Sequence, residues 1–187
     1  MKVFLATNNI HKKKEIESIF FSISKDFEVF HNENFPDVRE TADTLEGNAL
    51  LKAEKGFEFS GIPTVADDTG LFVDSLKGDP GVESKRYYSE DATDEENIHF
   101  LLFNLEGIKD RNAHFKTVVC LFDGQVSIFK EGILKGEISA APLGNNGFGY
   151  DSVFLHKKRT LAEINEDEKN VISHRKIAFT KIAATLL

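Results

Sequence analysis

The sequence predicts an α/β protein with a central mixed β-sheet flanked by helices, and three observations predict it. In the first half, strand-like apolar runs alternate with helical apolar spacing. From Ala113 the period changes to a β-rich meander, and a helical apolar stripe then closes the chain. Alternation followed by meandering strands favours a mixed sheet over a purely parallel one. The 187 residues carry no internal repeat and no low-complexity linker, so 1–187 read as a single α/β domain with two lobes.

Taken in order, Lys2 to Thr7 reads as a short buried strand. Asn8 and Asn9 then turn into a helix running to about Ile23, on which Ile16, Ile19, Phe20 and Ile23 have helical spacing. A second helix starts after Asp43, which with Glu46 fits a capping box; Leu45, Ala49 and Ala53 form its buried face. Ile62 to Ala66 is a strand ending at Asp67-Asp68-Thr69-Gly70. Thr93 and Glu96 form another capping box, opening a helix with Ile98, Leu101, Leu102 and Leu105 inward. Ala113 to Phe122 and Gln125 to Lys130 are strands joined by the hairpin signal Asp123-Gly124. Ile133 to Ile138 extends the meander, Ser152 to Leu155 adds a strand, and a helix covers most of Ser173 to Leu186.

Composition narrows the function classes. Apolar residues make up 41% and charged residues 29%, with 17 Phe and no Trp, so an aromatic core is available and disorder is excluded. No apolar run approaches the ~20 residues that span a bilayer. In MKVFLATNNIHKKK the basic cluster follows a short apolar stretch, which is the wrong order for a signal peptide. A cytoplasmic protein with no membrane partner is expected. Cys120, the single cysteine, lies in the apolar run VVCLF and reads as core filler. The 23 basic against 31 acidic residues give −8, which disfavours a nucleic-acid partner but leaves room for a small anion where positive charge gathers locally.

Such charge gathers at Lys12, Lys13 and Lys14, in the first turn of the opening helix. Cations there oppose the helix dipole by roughly 0.3–1 kcal/mol per exposed group. A phosphate at the helix N-terminus reverses that sign, although a solvated basic patch has the same sequence. Asp67-Asp68 at a strand end suits a hard cation such as Mg²⁺, or equally caps a turn into Gly70. Glu40 lies in the loop before the second helix, on which Thr44, Asn48 and Lys52 form a polar stripe four residues apart. Gly144-Asn-Asn-Gly-Phe-Gly-Tyr-Asp151 is a glycine-rich loop in which Phe148 or Tyr150 could stack on a planar ring, or face the core. Lys169, His174 and Arg175 crowd the start of the last helix.

Read together, these segments resemble the inosine triphosphate pyrophosphatase family. ATNNIHKKKE (6–15) is similar to the family's ATGNxxKxxE, and ETADTLEGNALLKA (40–53) to ETGxTFxENAxxKA. ADDTGLFVDSLKGDPGVESKRY (66–87) follows ADDSGLxVDALxGxPGxYSARY. GNNGFGYD (144–151) matches GxxGFGYD, and AEINEDEKNVISHR (162–175) matches AELxxEEKNxISHR. The blocks stand in the family order and span nearly the whole chain.

The resemblance implies Mg²⁺-dependent hydrolysis of non-standard purine nucleoside triphosphates (dITP, ITP, XTP) to monophosphate and pyrophosphate, which keeps deaminated purines out of nucleic acids. It implies an elongated two-lobed α/β homodimer with the nucleotide in a cleft between lobes. By the same resemblance, Thr7, Asn8, Asn9, Ile10, His11 and Lys12 would cradle the triphosphate with Lys52. Glu40 and Asp68 would hold Mg²⁺, Asp68 would also activate water, Asp67 would support it, and Thr69 would keep the family's hydroxyl. Phe148, Gly149, Tyr150, Asp151, Lys169, His174 and Arg175 would form the purine pocket. Departures from the family pattern are Asn8 and Ala42 for Gly, Leu45 for Phe, Glu83 for Tyr, Lys85 for Ala, and Leu143 for Arg. A pyrophosphatase of broader base range and a non-catalytic nucleotide sensor are the alternatives, the second of which would need a damaged metal site.

Overall fold

The computed structural model describes residues 2–24 and 26–186. Its eight strands form one mixed sheet: β1 (Lys2–Leu5), β2 (Glu28–Phe30), β3 (Thr64–Val73), β4 (Pro80–Gly81), β5 (Asn112–Phe122), β6 (Ser127–Ile138), β7 (Phe154–His156) and β8 (Arg159–Thr160). The order is β2-β1-β3-β5-β6-β7-β8, with β4 beside β3. β1 pairs in parallel with both β2 and β3, whereas β3–β4, β6–β7 and β7–β8 are antiparallel. The predicted mixed sheet is present. Among the described residues five α-helices accompany it: α1 (Ile10–Ile23), α2 (Leu45–Ser60), α3 (Asp94–Asn104), α4 (Glu166–Ile172) and α5 (His174–Ala183).

Each boundary has a local cause. The Asn9 side chain caps α1 by accepting from the His11 and Lys12 amides at 2.9 and 3.1 Å. Thr44, not Asp43, caps α2: its hydroxyl accepts from the Gly47 amide at 3.0 Å. A single residue of register decided between two good capping residues. Thr93 and Glu96 form the expected reciprocal box on α3. Asp123 receives the Gln125 and Val126 amides, which holds its carboxyl below the usual range and closes the β5–β6 turn over Gly124.

Three expectations need correction. The third strand does not stop at Ala66 but runs through Asp67, Asp68, Thr69 and Gly70 to Val73. Its acidic pair is thus in mid-strand, where alternation sends adjacent carboxylates to opposite faces of the sheet. The strands expected over 125–130 and 133–138 are one strand, β6, which starts at Ser127 and runs through Gly132 without a break, leaving Gln125 and Val126 in the turn. The strand expected over Ser152–Leu155 starts at Phe154, after a 3₁₀ turn over Gly149–Ser152. The short elements β2, β4, β8 and α4 have too few residues to show a period.

The chain divides into two compact units. The first comprises residues 1–68, 117–132 and 174–187, and the second 69–116 and 133–173. In the first, Val3, Leu5, Val65 and Val119 pack with Ile16, Ile19 and Phe20 of α1 and Phe179 and Ile182 of α5. A second cluster there joins Phe4, Ala6, Ala49, Ala53 and the fully buried Cys120. α2 approaches the strands closely at Gly56, where an added Cβ would lie 2.6 Å from Thr64 and 2.8 Å from Ala6. The second unit has its own core, in which Leu71, Val73, Ile98, Leu101, Phe115, Tyr150 and Phe154 pack together. Burial of this apolar surface, at roughly 25 cal/mol per Å², is what sustains each unit.

Candidate functional site

In the first unit, buried charge collects around the acidic pair of β3. Lys12, from the first turn of α1, places Nζ 2.9 Å from Asp67 Oδ2. Arg175, from the start of α5, places Nε 3.4 Å from the same oxygen and binds Glu15 of α1 through Nη1. Burial alone would raise the Asp67 carboxyl, but Lys12, Arg175 and Lys52 together hold it well below the usual carboxylate range. Desolvation, with Lys52 and Arg175 nearby, lowers the Lys12 ammonium despite the attraction of Asp67. Glu15 and Asp67 more than offset the desolvation of Arg175 and raise its guanidinium further. At neutral pH Asp67 and Arg175 are both ionised.

The neighbouring Asp68 faces a different set. Lys52 Nζ of α2 lies 2.5 Å from Glu40 Oε1 and 3.5 Å from Asp68 Oδ1. The fully buried Asn48, one helical turn before Lys52, donates Nδ2 to Asp68 Oδ2 at 3.1 Å and accepts from the Ala42 amide at 2.9 Å. The stripe Thr44–Asn48–Lys52 is therefore a row of cap, carboxylate holder and buried ammonium rather than a solvated face. Burial and then Glu40 push the Asp68 carboxyl up, against the pull of Lys52. Burial would lower Lys52, but Asp68, Glu40 and Asp67 raise it overall.

Oxygen ligands suit a hard cation, and Glu40 and Asp68 converge on one positive group from two different elements. Among the described residues no group of three or more His, Cys, Asp or Glu gathers as a metal cage. A cation held by this pair would complete its shell with water or ligand oxygens, the habit of Mg²⁺. Lys12, Lys52 and Arg175 against Glu15, Glu40, Asp67 and Asp68 are three basic to four acidic groups, a formal −1. Adding a divalent cation would make it net positive and receptive to phosphate. The residues fit the group.

The other phosphate candidates line the entry to α1. Thr7 Oγ1 accepts from the Asn9 amide at 3.2 Å. Asn8 donates to the Phe35 carbonyl at 3.0 Å and to Asp37 at 2.8 Å. Positive φ outside glycine occurs, among the described residues, at Lys77, Lys157 and Lys158, so Asn8 needs no left-handed backbone. Ile10 and His11 are exposed, and Thr69 lies half-buried on β3 in the second unit. His174 is buried in the first unit with Nδ1 2.6 Å from Thr117 Oγ1.

The second unit brings together Phe148, Asp151 and Lys169. Lys169 Nζ lies 2.5 Å from Asp151 Oδ2 and 4.8 Å from the centre of the Phe148 ring. The same Asp151 oxygen accepts the Phe148 amide at 2.9 Å. Tyr150 is buried, with its hydroxyl donating to the Ser84 carbonyl at 2.8 Å. Phe148, half-buried, is therefore the aromatic that a planar ring can meet. Glu83 pairs with Arg86 in this unit, and Leu143 stands exposed.

Sequence reasoning missed Glu15, Asn48 as a carboxylate holder, Thr117 and Asp94. For Glu15 a signal existed: Lys12, Glu15, Ile16 and Ile19 share one helix face, so two charged residues sit on the apolar stripe. Thr117 and Asp94 act across the fold and leave no local pattern.

The Ham1 family profile matches residues 3–185. The dITP/XTP pyrophosphatase of Elusimicrobium minutum is 46% identical over 98% of this chain and 98% of its own. That of Flavobacterium johnsoniae is 44% identical over 94% and 92%. Among solved structures, a HAM1 protein from Coxiella burnetii superposes with a TM-score of 0.90 at 35% identity, covering 100% of this chain and 98% of the other. The Staphylococcus aureus Ham1 protein gives a TM-score of 0.88 at 35% identity with the same coverage.

Proposed function

This chain belongs to the Ham1 family, and from that membership we propose that it is a nucleoside triphosphate pyrophosphatase acting on non-standard purine nucleotides. Its full-length relatives carry the name dITP/XTP pyrophosphatase, and dITP and XTP are the substrates assigned to it. The observation that carries the reading is the convergence of Glu40 and Asp68 on the Lys52 ammonium, with Lys12 against the adjacent Asp67. Paired carboxylates beside paired lysines are what cleavage of a polyphosphate requires.

In this reading the first unit handles phosphate. Lys12 and Lys52 shed their carboxylate contacts in part to bind triphosphate oxygens, and the α1 entry from Thr7 to Lys12 contributes polar groups. Glu40 and Asp68 would hold Mg²⁺, which would supply positive charge to neutralise the leaving pyrophosphate. Asp68 orients the attacking water and takes its proton. Asp67, kept ionised by Lys12 and Arg175, secures Lys12. The water oxygen forms the new P–O bond while the bond to the α–β bridging oxygen breaks, and pyrophosphate departs with that electron pair.

The second unit takes the base. Lys169 is a donor and Asp151 an acceptor, side by side. Hypoxanthine and xanthine present the complement, a C6 keto oxygen and an N1–H. Adenine presents the reverse and would leave these buried groups mismatched, at ~1–3 kcal/mol each. Phe148 stacks on the ring. The proposed state is a cytoplasmic homodimer that clears deaminated purines from the nucleotide pool.

The test is product analysis with dITP: dIMP plus pyrophosphate in Mg²⁺ and none in chelator is the expected result. Formation of dIDP plus phosphate would contradict the assigned bond, and undiminished turnover in chelator would contradict the metal.

A further inference from the structure

We infer that Asp94 is a positioning residue for the base loop, fixing Phe148 and Gly149 against the core of the second unit. The inference rests on the pyrophosphatase reading and adds a residue to it. Asp94 is the first residue of α3, and its Oδ2 accepts the Gly149 amide at 2.6 Å across 55 residues of sequence. The short charge-assisted bond is of the stronger kind. Asp94 is not needed to cap α3, since Thr93 and Glu96 already satisfy that end reciprocally. Its carboxylate is turned to the loop instead.

The loop requires such a tether. Gly149 has φ +58°, and a Cβ built there would meet nothing within 4 Å. Glycine is needed there for its left-handed backbone rather than for space, and crowding does nothing to hold the residue. The Phe148 amide is bound to Asp151, three residues along in the same loop. That bond fixes the loop's internal shape but not its place. Tyr150 anchors the far side through Ser84, while Asp94 anchors the side next to the Phe148 ring.

α3 is itself a firm support. Ile98 and Leu101 are buried in the core, and Asn97 accepts the Tyr88 amide while donating to the Lys85 carbonyl. A stacking ring displaced by a fraction of an ångström loses its register with the base, and orientation lost there weakens binding before chemistry.

The experiment compares Asp94→Ala and Asp94→Asn with the unaltered protein, using dITP kinetics, pyrophosphate inhibition and thermal melting. Asparagine keeps an oxygen that can accept the Gly149 amide but loses the charge at the helix end; alanine loses both. The expected result for Asp94→Ala is a KM raised about five- to tenfold with kcat within about twofold. Asp94→Asn should restore KM to near the original, and the inhibition constant for pyrophosphate should be unchanged in both. Equal KM effects in the two variants would overturn the inference in favour of a helix-end charge effect. An unaltered KM in Asp94→Ala would overturn it outright. No turnover of dITP by the unaltered protein would refute the pyrophosphatase reading itself, and the inference with it.

Discussion

Asp67 and Asp68 are adjacent in sequence yet answer to different partners. Asp67 faces Lys12 and Arg175 and is held strongly acidic, whereas burial, with Glu40 nearby, pushes Asp68 up against the pull of Lys52. In the proposed mechanism, Asp68 is therefore the proton acceptor of the pair. Replacement Asp68→Asn should lower kcat by about 10²–10⁴ with the circular dichroism spectrum unchanged; steady-state rates on dITP check this, and retained turnover would remove Asp68 from the chemistry. Cys120 supplies an independent probe of packing. It is fully buried, and burial with Glu54 nearby pushes its thiol up to about 12. The native protein should not react with a thiol reagent at pH 8, while the unfolded chain should react with one equivalent.

At the scale of elements, α2 is the critical piece, since it carries Asn48 and Lys52 and lies against β1 and β3 at Gly56. Alanine is the better helix former by about 1 kcal/mol, yet a Cβ at 56 would lie under 3.0 Å from Thr64 and Ala6. Gly56→Ala should therefore destabilise the protein by about 1–3 kcal/mol in urea unfolding, against its propensity. A stabilised variant would mean that α2 has room to move. Boundaries of this kind were partly legible in the sequence. Periodicity found α1, α2, α3 and α5 because each buries a stripe, and the box at Thr93–Glu96 was readable because both partners are local. The end of β3 was misjudged because Asp67 and Asp68 look like a turn; only contacts with Lys12, Arg175, Asn48 and Lys52, which no local pattern records, keep two carboxylates in a buried strand. The motifs named the charged residues, but the pairing of Glu15 with Arg175 and of Asp94 with Gly149 is a matter of tertiary distance.

For the whole molecule, the buried charges link stability to pH. The folded carboxyl of Asp67 lies below its unfolded value of about 3.9, so its contribution is fully present above that pH and is lost as pH falls through the lower folded value. Melting in chelator should show a steep loss of stability below about pH 4 that Asp67→Asn lacks. A parallel decline in both proteins would mean that Lys12 and Arg175 do not hold the carboxylate. The net charge of −8 gives no general attraction for polyanions, so the proposed triphosphate site relies on positive charge gathered locally.

The most direct measurement is kcat/KM for dITP, XTP, dGTP, dATP and dCTP in Mg²⁺, with products separated by ion exchange. dIMP or XMP plus pyrophosphate should form rapidly, with dATP and dCTP at least about tenfold slower, whereas dGTP, which shares the C6 keto oxygen and N1–H, is not set apart by Lys169 and Asp151. Comparable rates on all five would contradict base selection by Lys169 and Asp151, and no pyrophosphate from any of them would contradict the assigned reaction.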